Sequence, residues 1–237
     1  MKQIWARPSF FFKITNPIFP GVLILTGLLF AAGLYTGLLA SPPDYQQGDA
    51  MRIMYIHVPA SWMALFVYAF LGLMSLFILV WRHPLAEVLA VSAVPIGALF
   101  TILSLTTGSL WGKPMWGAYW VWDARLTSVL VLLFLYGGYW ALYKAYSHPG
   151  QGIRAASLLA LVGVINLPII KGSVTWWNTL HQPASLTKLS SPSIHPTMLT
   201  PLILMAGAYF FYFVSVLILR TRTELNMRKL YVWEGMR

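Results

Sequence analysis

Val58–Trp81 reads VPASWMALFVYAFLGLMSLFILVW, 24 residues without a charge, closed at once by Arg82, His83 and Pro84. A helix crosses a bilayer core in roughly 20 apolar residues, so this run is long enough to span and has a sharp stop. The pattern continues on both sides. Pro17–Ala40 is an uncharged first span, Val88–Thr107 a third and Leu126–Tyr143 a fourth. Ala155–Ile170 holds only 16 uncharged residues, so a fifth span must borrow Gln151–Ile153 and let Arg154 and Lys171 snorkel. Pro196–Leu219 is the sixth, followed by a basic, polar tail from Arg220 to Arg237. Lys2, Arg7 and Lys13 ahead of the first run imitate a signal peptide. That run stays uncharged from Ile14 to Pro43, too long for a signal core, and no A-x-A site follows, so a retained helix is expected.

Composition points the same way. Hydrophobic residues are 58% of the 237, mean hydropathy is +0.69 and 9% of residues are charged, which excludes an ordinary soluble domain. The expected fold is an all-α integral membrane protein: residues 1–237 form one polytopic domain of six transmembrane helices, with a short interfacial aromatic helix. A net charge of +10 then reads as positive loops on the cytoplasmic face rather than as a nucleic-acid surface. With both termini cytoplasmic, 11 of the 16 basic residues lie inside. Three loops share the outer face: 41–57, 107–125 and 171–195. The absence of cysteine excludes disulfides, a thiolate nucleophile and any Cys-based metal, Fe–S or haem-attachment site. No Walker-type loop is present, so the chain does not itself hydrolyse nucleotide. No row of charges within the spans suggests an ion path.

The outer loops hold the chemistry. Trp111–Ser128 reads WGKPMWGAYWVWDARLTS and sets Trp111, Trp116, Tyr119, Trp120 and Trp122 ahead of Asp123 and Arg125. Pro114 suits the first turn of a helix. On such a helix Trp116, Trp120, Asp123 and Thr127 share one face. That face is a floor for a large, flat, apolar ligand; the same residues also fit an aromatic belt at a membrane interface, which needs none. His57, in RIMYIHVPASW one residue before the second span, and His181, in SVTWWNTLHQP, lie at a similar depth. Two neutral imidazoles on opposite faces of a haem fill both axial positions and suit carriage or electron transfer. Each also fits a plain interfacial residue. His195, at the mouth of the sixth span, is read as a bystander that could substitute as a ligand. His83 and His148 are read as loop residues on the inner side. Arg52 and Arg125 are placed to pair with carboxylates such as haem propionates, or internally, Arg52 with Asp44 or Asp49 and Arg125 with Asp123. Asp123 is most simply an orienter of the helix or of a neighbouring donor.

Taken together, WGAYWVWDARLTS, RIMYIHVPASW and SVTWWNTLHQP resemble haem-handling membrane proteins with a tryptophan-rich WWD domain, in the form of the cytochrome c maturation protein C (CcmC) family. In relatives that act as cytochrome c synthases the stretch continues differently after the aspartate. The resemblance covers essentially the whole chain. It implies a multi-pass protein of the bacterial inner membrane that presents haem b at the periplasmic face and hands it to the haem chaperone CcmE. CcmA, CcmB and the small subunit CcmD would be its partners. His57 and His181 would be axial ligands, and Trp111, Trp116, Tyr119, Trp120, Trp122 and Asp123 the haem platform and chaperone-docking edge. The covalent step would use haem's own chemistry while this chain supplies orientation, a carrier more than an enzyme. Two rivals stand beside it: a membrane b-type cytochrome, which places its ligands within helices, and a haem-free ABC-type permease subunit.

The orientation is directly testable. Reporter fusions in Lys144–Arg154 are expected to read as cytoplasmic; a periplasmic signal there would overturn the arrangement.

Overall fold

The computed structural model describes residues 8–146, 149–177, 179–181 and 194–234. Seven α-helices lie among them: α1 Pro8–Leu34, α2 Met54–Trp81, α3 Pro84–Trp116, α4 Ala124–Ala145, α5 Pro149–Gly163, α6 Asn166–Trp176 and α7 Pro196–Glu234. No strand is present among the described residues, only a bridge between Asp44 and Gly48. Six helical segments are long and apolar enough to cross a membrane, α5 and α6 together making one of them. The expected all-α membrane architecture is therefore found. Six crossings put the start of α1 and the end of α7 on one side.

The spans outrun the charge-free runs that locate them. α3 extends to Trp116 and α7 is a single helix of 39 residues that absorbs most of the polar tail. Its last turns are basic but not unpartnered. Arg228 bonds Glu224 at 2.9 Å one turn earlier and Glu87 of α3 at 3.5 Å, while Arg220 donates to the Ser92 carbonyl at 3.1 Å. The i,i+4 pair favours helix beyond the apolar window, and the other two contacts tie this part of α7 to α3.

The fifth span is broken. Pro168 has no N–H to offer Val164 four residues back. The chain tightens instead into shorter bonds, Ile165 N–H to Val162 at 3.2 Å and Leu167 N–H to Val164 at 3.0 Å. The Asn166 amide crosses to the Ser128 carbonyl of α4 at 2.9 Å, tying the break to its neighbour. Arg154 and Lys171 both stay exposed, as snorkelling requires.

α3 lies at the centre and α1 at the rim: 61% of the most apolar window of α3 is buried, against 17% for α1. α1 leans mainly on α7, through Thr26 and Ser215 hydroxyls at 3.1 Å and through Phe30 against Tyr209. The core between α2 and α4 is aromatic, with Tyr68 and Tyr136 fully buried edge to face and the Tyr136 hydroxyl donating to the Ala64 carbonyl at 2.9 Å.

The separate aromatic helix expected from Pro114 does not form. Pro114 falls in the last turn of α3, and Gly117 at φ 77 ends that helix, its N–H bonding the Lys113 carbonyl at 3.0 Å. A residue without Cβ takes this left-handed position freely. Residues 118–123 are not helical and Asp123 starts α4 as its N-cap, so Trp116, Trp120, Asp123 and Thr127 do not share one helical face. The second helix also begins earlier than the sequence suggests. A 3-10 turn at Asp49–Ile53 leads into α2, placing His57 in the first turn of a helix rather than in a loop.

Replacing Asn166 by Leu removes the bond across to α4 and is expected to lower stability by about 1 kcal/mol, measured by thermal unfolding in detergent. Ala at lipid-facing Phe134, 67% exposed, is the control and should change far less.

Candidate functional site

Contacts gather the three connecting segments at one end of the bundle. Trp111, in the last turns of α3, packs edge-on against His57 with ring centroids 5.8 Å apart, and its indole N–H donates to the Gln47 side-chain oxygen at 3.0 Å. Trp116 packs against His181 at 4.8 Å. His181 and Arg125 lie close enough to His57 to act on its charge, and Asp123 and Arg125 act likewise on His181.

His57 is held through its Nδ1 by α3. Its Nδ1 lies 3.0 Å from the Ser104 carbonyl and 3.1 Å from the Thr107 hydroxyl. The Thr107 hydroxyl already donates to the Leu103 carbonyl at 2.6 Å, so it is free to accept. A carbonyl only accepts, which puts the proton on Nδ1 and leaves the lone pair on Nε2. Ser61, one turn along α2, donates to the His57 carbonyl at 2.8 Å and bonds the Ser104 hydroxyl at 2.6 Å, locking α2 to α3, and its oxygen stands 3.5 Å from His57 Nε2. Gly108 completes the seat: a Cβ there would stand 2.9 Å from His57 Cε1.

The second imidazole is held by a carboxylate. Asp123 Oδ1 accepts the Leu126 N–H at 2.8 Å, capping α4, while Oδ2 lies 3.2 Å from His181 Nδ1. The Nδ1–H tautomer again follows, with Nε2 unprotonated. Burial pushes the His181 pKa below its ordinary 6.5, Asp123 opposes the shift and Arg125 reinforces it. The imidazole is thus neutral at pH 7, as a metal ligand must be.

Arg52 forms an internal pair, donating to Asp49 at 2.9 Å rather than to Asp44, and also to the Leu38 carbonyl at 2.8 Å. Asp44 instead folds its own loop, accepting from the Gln46 and Gln47 amides. Arg125 makes no hydrogen bond or ion pair among the described residues, while the two oxygens of Asp123 meet the Leu126 amide and His181. Trp120 and Trp122 pack edge to face at 5.3 Å, Trp122 and Tyr119 are exposed, and Lys113 sits over the Tyr119 ring at 5.3 Å. Trp176 and Trp177 are a second exposed pair.

His195 caps α7, its Nδ1 2.8 Å from the Thr197 hydroxyl, and no contact joins it to the cluster among the described residues. His83 caps α3. His148, Lys188 and residues 182–193 of the last outer loop lie outside the described residues. Sequence reading missed Gln47, Ser61, Ser104, Thr107 and Gly108. Ser61 stands four residues after His57, and Ser104, Thr107 and Gly108 follow the i, i+3, i+4 spacing of one helical face, a polar and small patch in an apolar span.

A six-span bundle that gathers two Nδ1-anchored imidazoles and a tryptophan cluster at one end defines a polytopic membrane protein with a paired-histidine site. The chain belongs to the Heme exporter protein C family, whose model matches residues 1–233. It is 51% identical over 224 residues to a Heme exporter protein C of Bradyrhizobium diazoefficiens, covering 94% of this chain and 85% of that one. With a Heme exporter protein C of Haemophilus influenzae the identity is 46% over 221 residues, covering 93% and 90%. A CcmC-like mitochondrial protein of Marchantia polymorpha, named for cytochrome c biosynthesis, is 45% identical over 217 residues, 91% of this chain and 92% of the relative.

The depressed pKa of His181 has a sign that can be tested. Below pH 6.5 the unfolded chain binds a proton that the folded site resists, so stability is lost as pH falls from 6.5 toward the folded value. Arg125→Ala removes one cause of the depression. It is expected to move the His181 titration up in pH and shrink that acid-side loss, read by NMR titration of labelled histidine.

Proposed function

We propose that this chain presents haem b at the periplasmic face of the bacterial inner membrane and passes it to a haem chaperone of the CcmE kind during cytochrome c maturation. One observation supports the reading: at one end of the bundle, two histidines are each tied through Nδ1, which directs the lone pair of each ring to Nε2, where His57 meets only the Ser61 hydroxyl at 3.5 Å among the described residues. Anchoring through Nδ1 satisfies any buried imidazole; what favours a shared ligand is that two such rings stand at one end of the bundle, each against a tryptophan. Haem bound between them has both axial positions filled, which suits carriage over oxygen chemistry.

The surrounding residues divide the remaining tasks. Trp111 and Trp116 stand edge-on to the two imidazoles and set the walls. Trp120, Trp122 and Tyr119 offer the haem edge and the chaperone a common aromatic surface. Arg125, which makes no hydrogen bond or ion pair among the described residues, pairs with a propionate, and Nη2 of Arg52, which bonds nothing among them, serves the second. CcmA, CcmB and CcmD complete the assembly. The basic end of the bundle faces the cytoplasm, and with it both termini.

His57 lies on a helix, as the rival b-type cytochrome reading expects, so ligand placement no longer discriminates the two. Transfer does. A cytochrome keeps its haem, whereas a carrier leaves a covalent haem–chaperone adduct in cells that contain both proteins.

Replacing His57 or His181 by Gly is expected to abolish or strongly reduce haem in the purified protein, with added imidazole restoring part of it. Trp120→Ala is expected to keep much of the haem, because one aromatic contributes roughly 150–250 Å² of burial and no bond to iron, yet to form little chaperone adduct. Haem per protein and adduct per cell are measured together. If both histidine variants retain the wild-type low-spin spectrum, the proposed ligands are wrong.

A further inference from the structure

We infer that Asp123 selects the ligating tautomer of His181, and that this task requires both oxygens of a carboxylate. The inference rests on the haem-site reading above and deepens it by giving one residue a positioning role.

The Asp123 side chain is only 6% exposed and faces two N–H donors at once. One is the Leu126 amide in the first turn of α4, 2.8 Å from Oδ1; the other is His181 Nδ1, 3.2 Å from Oδ2. A carboxylate accepts at both oxygens. It therefore caps the helix and holds the imidazole proton on Nδ1 in the same act, which keeps the lone pair on Nε2. The opposite tautomer would set a nitrogen lone pair against the carboxylate and place the proton where a metal has to bind. The orienter of His57 is different in kind, a backbone carbonyl that substitution cannot remove. Among the described residues, tautomer control at His181 thus depends on one replaceable side chain.

Asparagine, the nearest match in shape, cannot do both tasks. With its oxygen on the Leu126 amide, its NH₂ meets His181 Nδ1, which must then accept, and the proton moves to Nε2. With the amide turned over, His181 is kept but the Leu126 N–H faces another donor and α4 loses its cap. Serine is a smaller change electrostatically: its hydroxyl caps a helix well and leaves His181 free to exchange between tautomers. The expected order for haem retention is therefore Asp, then Ser, then Asn, the reverse of what resemblance in shape suggests. Loss of a partner behind a metal-bound histidine costs about 10–100-fold in affinity. Asp123→Ser is expected near the lower end of that range and Asp123→Asn near the upper.

The test uses the full-length chain in detergent, with two readouts. In haem-free protein, nitrogen-15 NMR of labelled histidine reports the His181 tautomer: Nδ1–H in the wild type, a mixture in Asp123→Ser, and Nε2–H in Asp123→Asn wherever the cap of α4 persists. In haem-loaded protein, low-spin absorption follows the same order, and free imidazole restores it in Asp123→Asn by supplying the missing lone pair. An Asn variant that keeps both the α4 cap and the Nδ1–H tautomer, or one that retains more haem than the Ser variant, overturns the inference. Because the tautomer is read without haem, absence of haem from every variant and the wild type sinks the functional reading instead.

Discussion

A hydrocarbon interior offers no partner to a backbone N–H or C=O, so a chain that crosses it must satisfy every such group within the segment. That constraint shapes this molecule more than any single contact does. It turns the apolar runs into helices and pushes irregular backbone toward the ends. The break between α5 and α6 obeys it too: the groups released by Pro168 are taken up by shorter-range bonds, and Asn166 reaches across to α4. Polar chemistry is then cheapest where the helices stop. The residues that cluster around His57 and His181 come from the last turns of α3, the first turns of α2 and α4, and the segment after α6.

Helix ends also supply the means of fixing side chains. Asp123 begins α4, and the geometry that aims one of its oxygens at the Leu126 amide leaves the other for His181. His57 is anchored by the opposite device. It sits in the opening turn of α2 against a carbonyl and a hydroxyl of α3, and α2 and α3 pack along their length. One imidazole is thus placed by helix-on-helix packing and the other by a cap.

The spans were legible because they depend on a sum over some twenty residues, which local detail barely alters. Charge-free runs located all six, even the fifth, whose shortness reflects a real break around Pro168 and a helix that reaches past Lys171 to Trp176. Helix ends were less legible, since they are set by single residues. Gly117 stops α3 and abolishes the helical face that would have aligned Trp116 with Trp120 and Asp123. The tail of α7 reads as polar, yet it stays helical: Arg228 pairs with Glu224 one turn earlier, a spacing visible in sequence, and also reaches Glu87, 141 positions earlier, which no local pattern reports. Arg52 shows the limit within the site. Two acidic partners were available to it in sequence, and the turn at Asp49–Ile53 decided for Asp49. The partners of His57 were hidden for a related reason: Ser104 acts through its backbone carbonyl, which any residue would possess.

Under the proposed function, the two modes of anchoring make the site unequal, and the inequality suits a carrier. A ligand locked between two packed helices cannot move without disturbing the core, whereas His181 stands outside any helix, five residues beyond the end of α6. Among the described residues its restraint is a single carboxylate contact and the edge of Trp116. Release of a clamped cargo requires one jaw to yield, and the jaw tied by fewer contacts yields at lower cost. An electron-transfer site gains from two equally rigid ligands, because a fixed coordination geometry keeps reorganisation small. A site that must let go gains from one fixed ligand and one that can withdraw. Placing the exposed rings of Trp122, Trp176 and Trp177 on the segments that flank Asp123 and His181 puts the surface offered to a chaperone beside the ligand that has to give way.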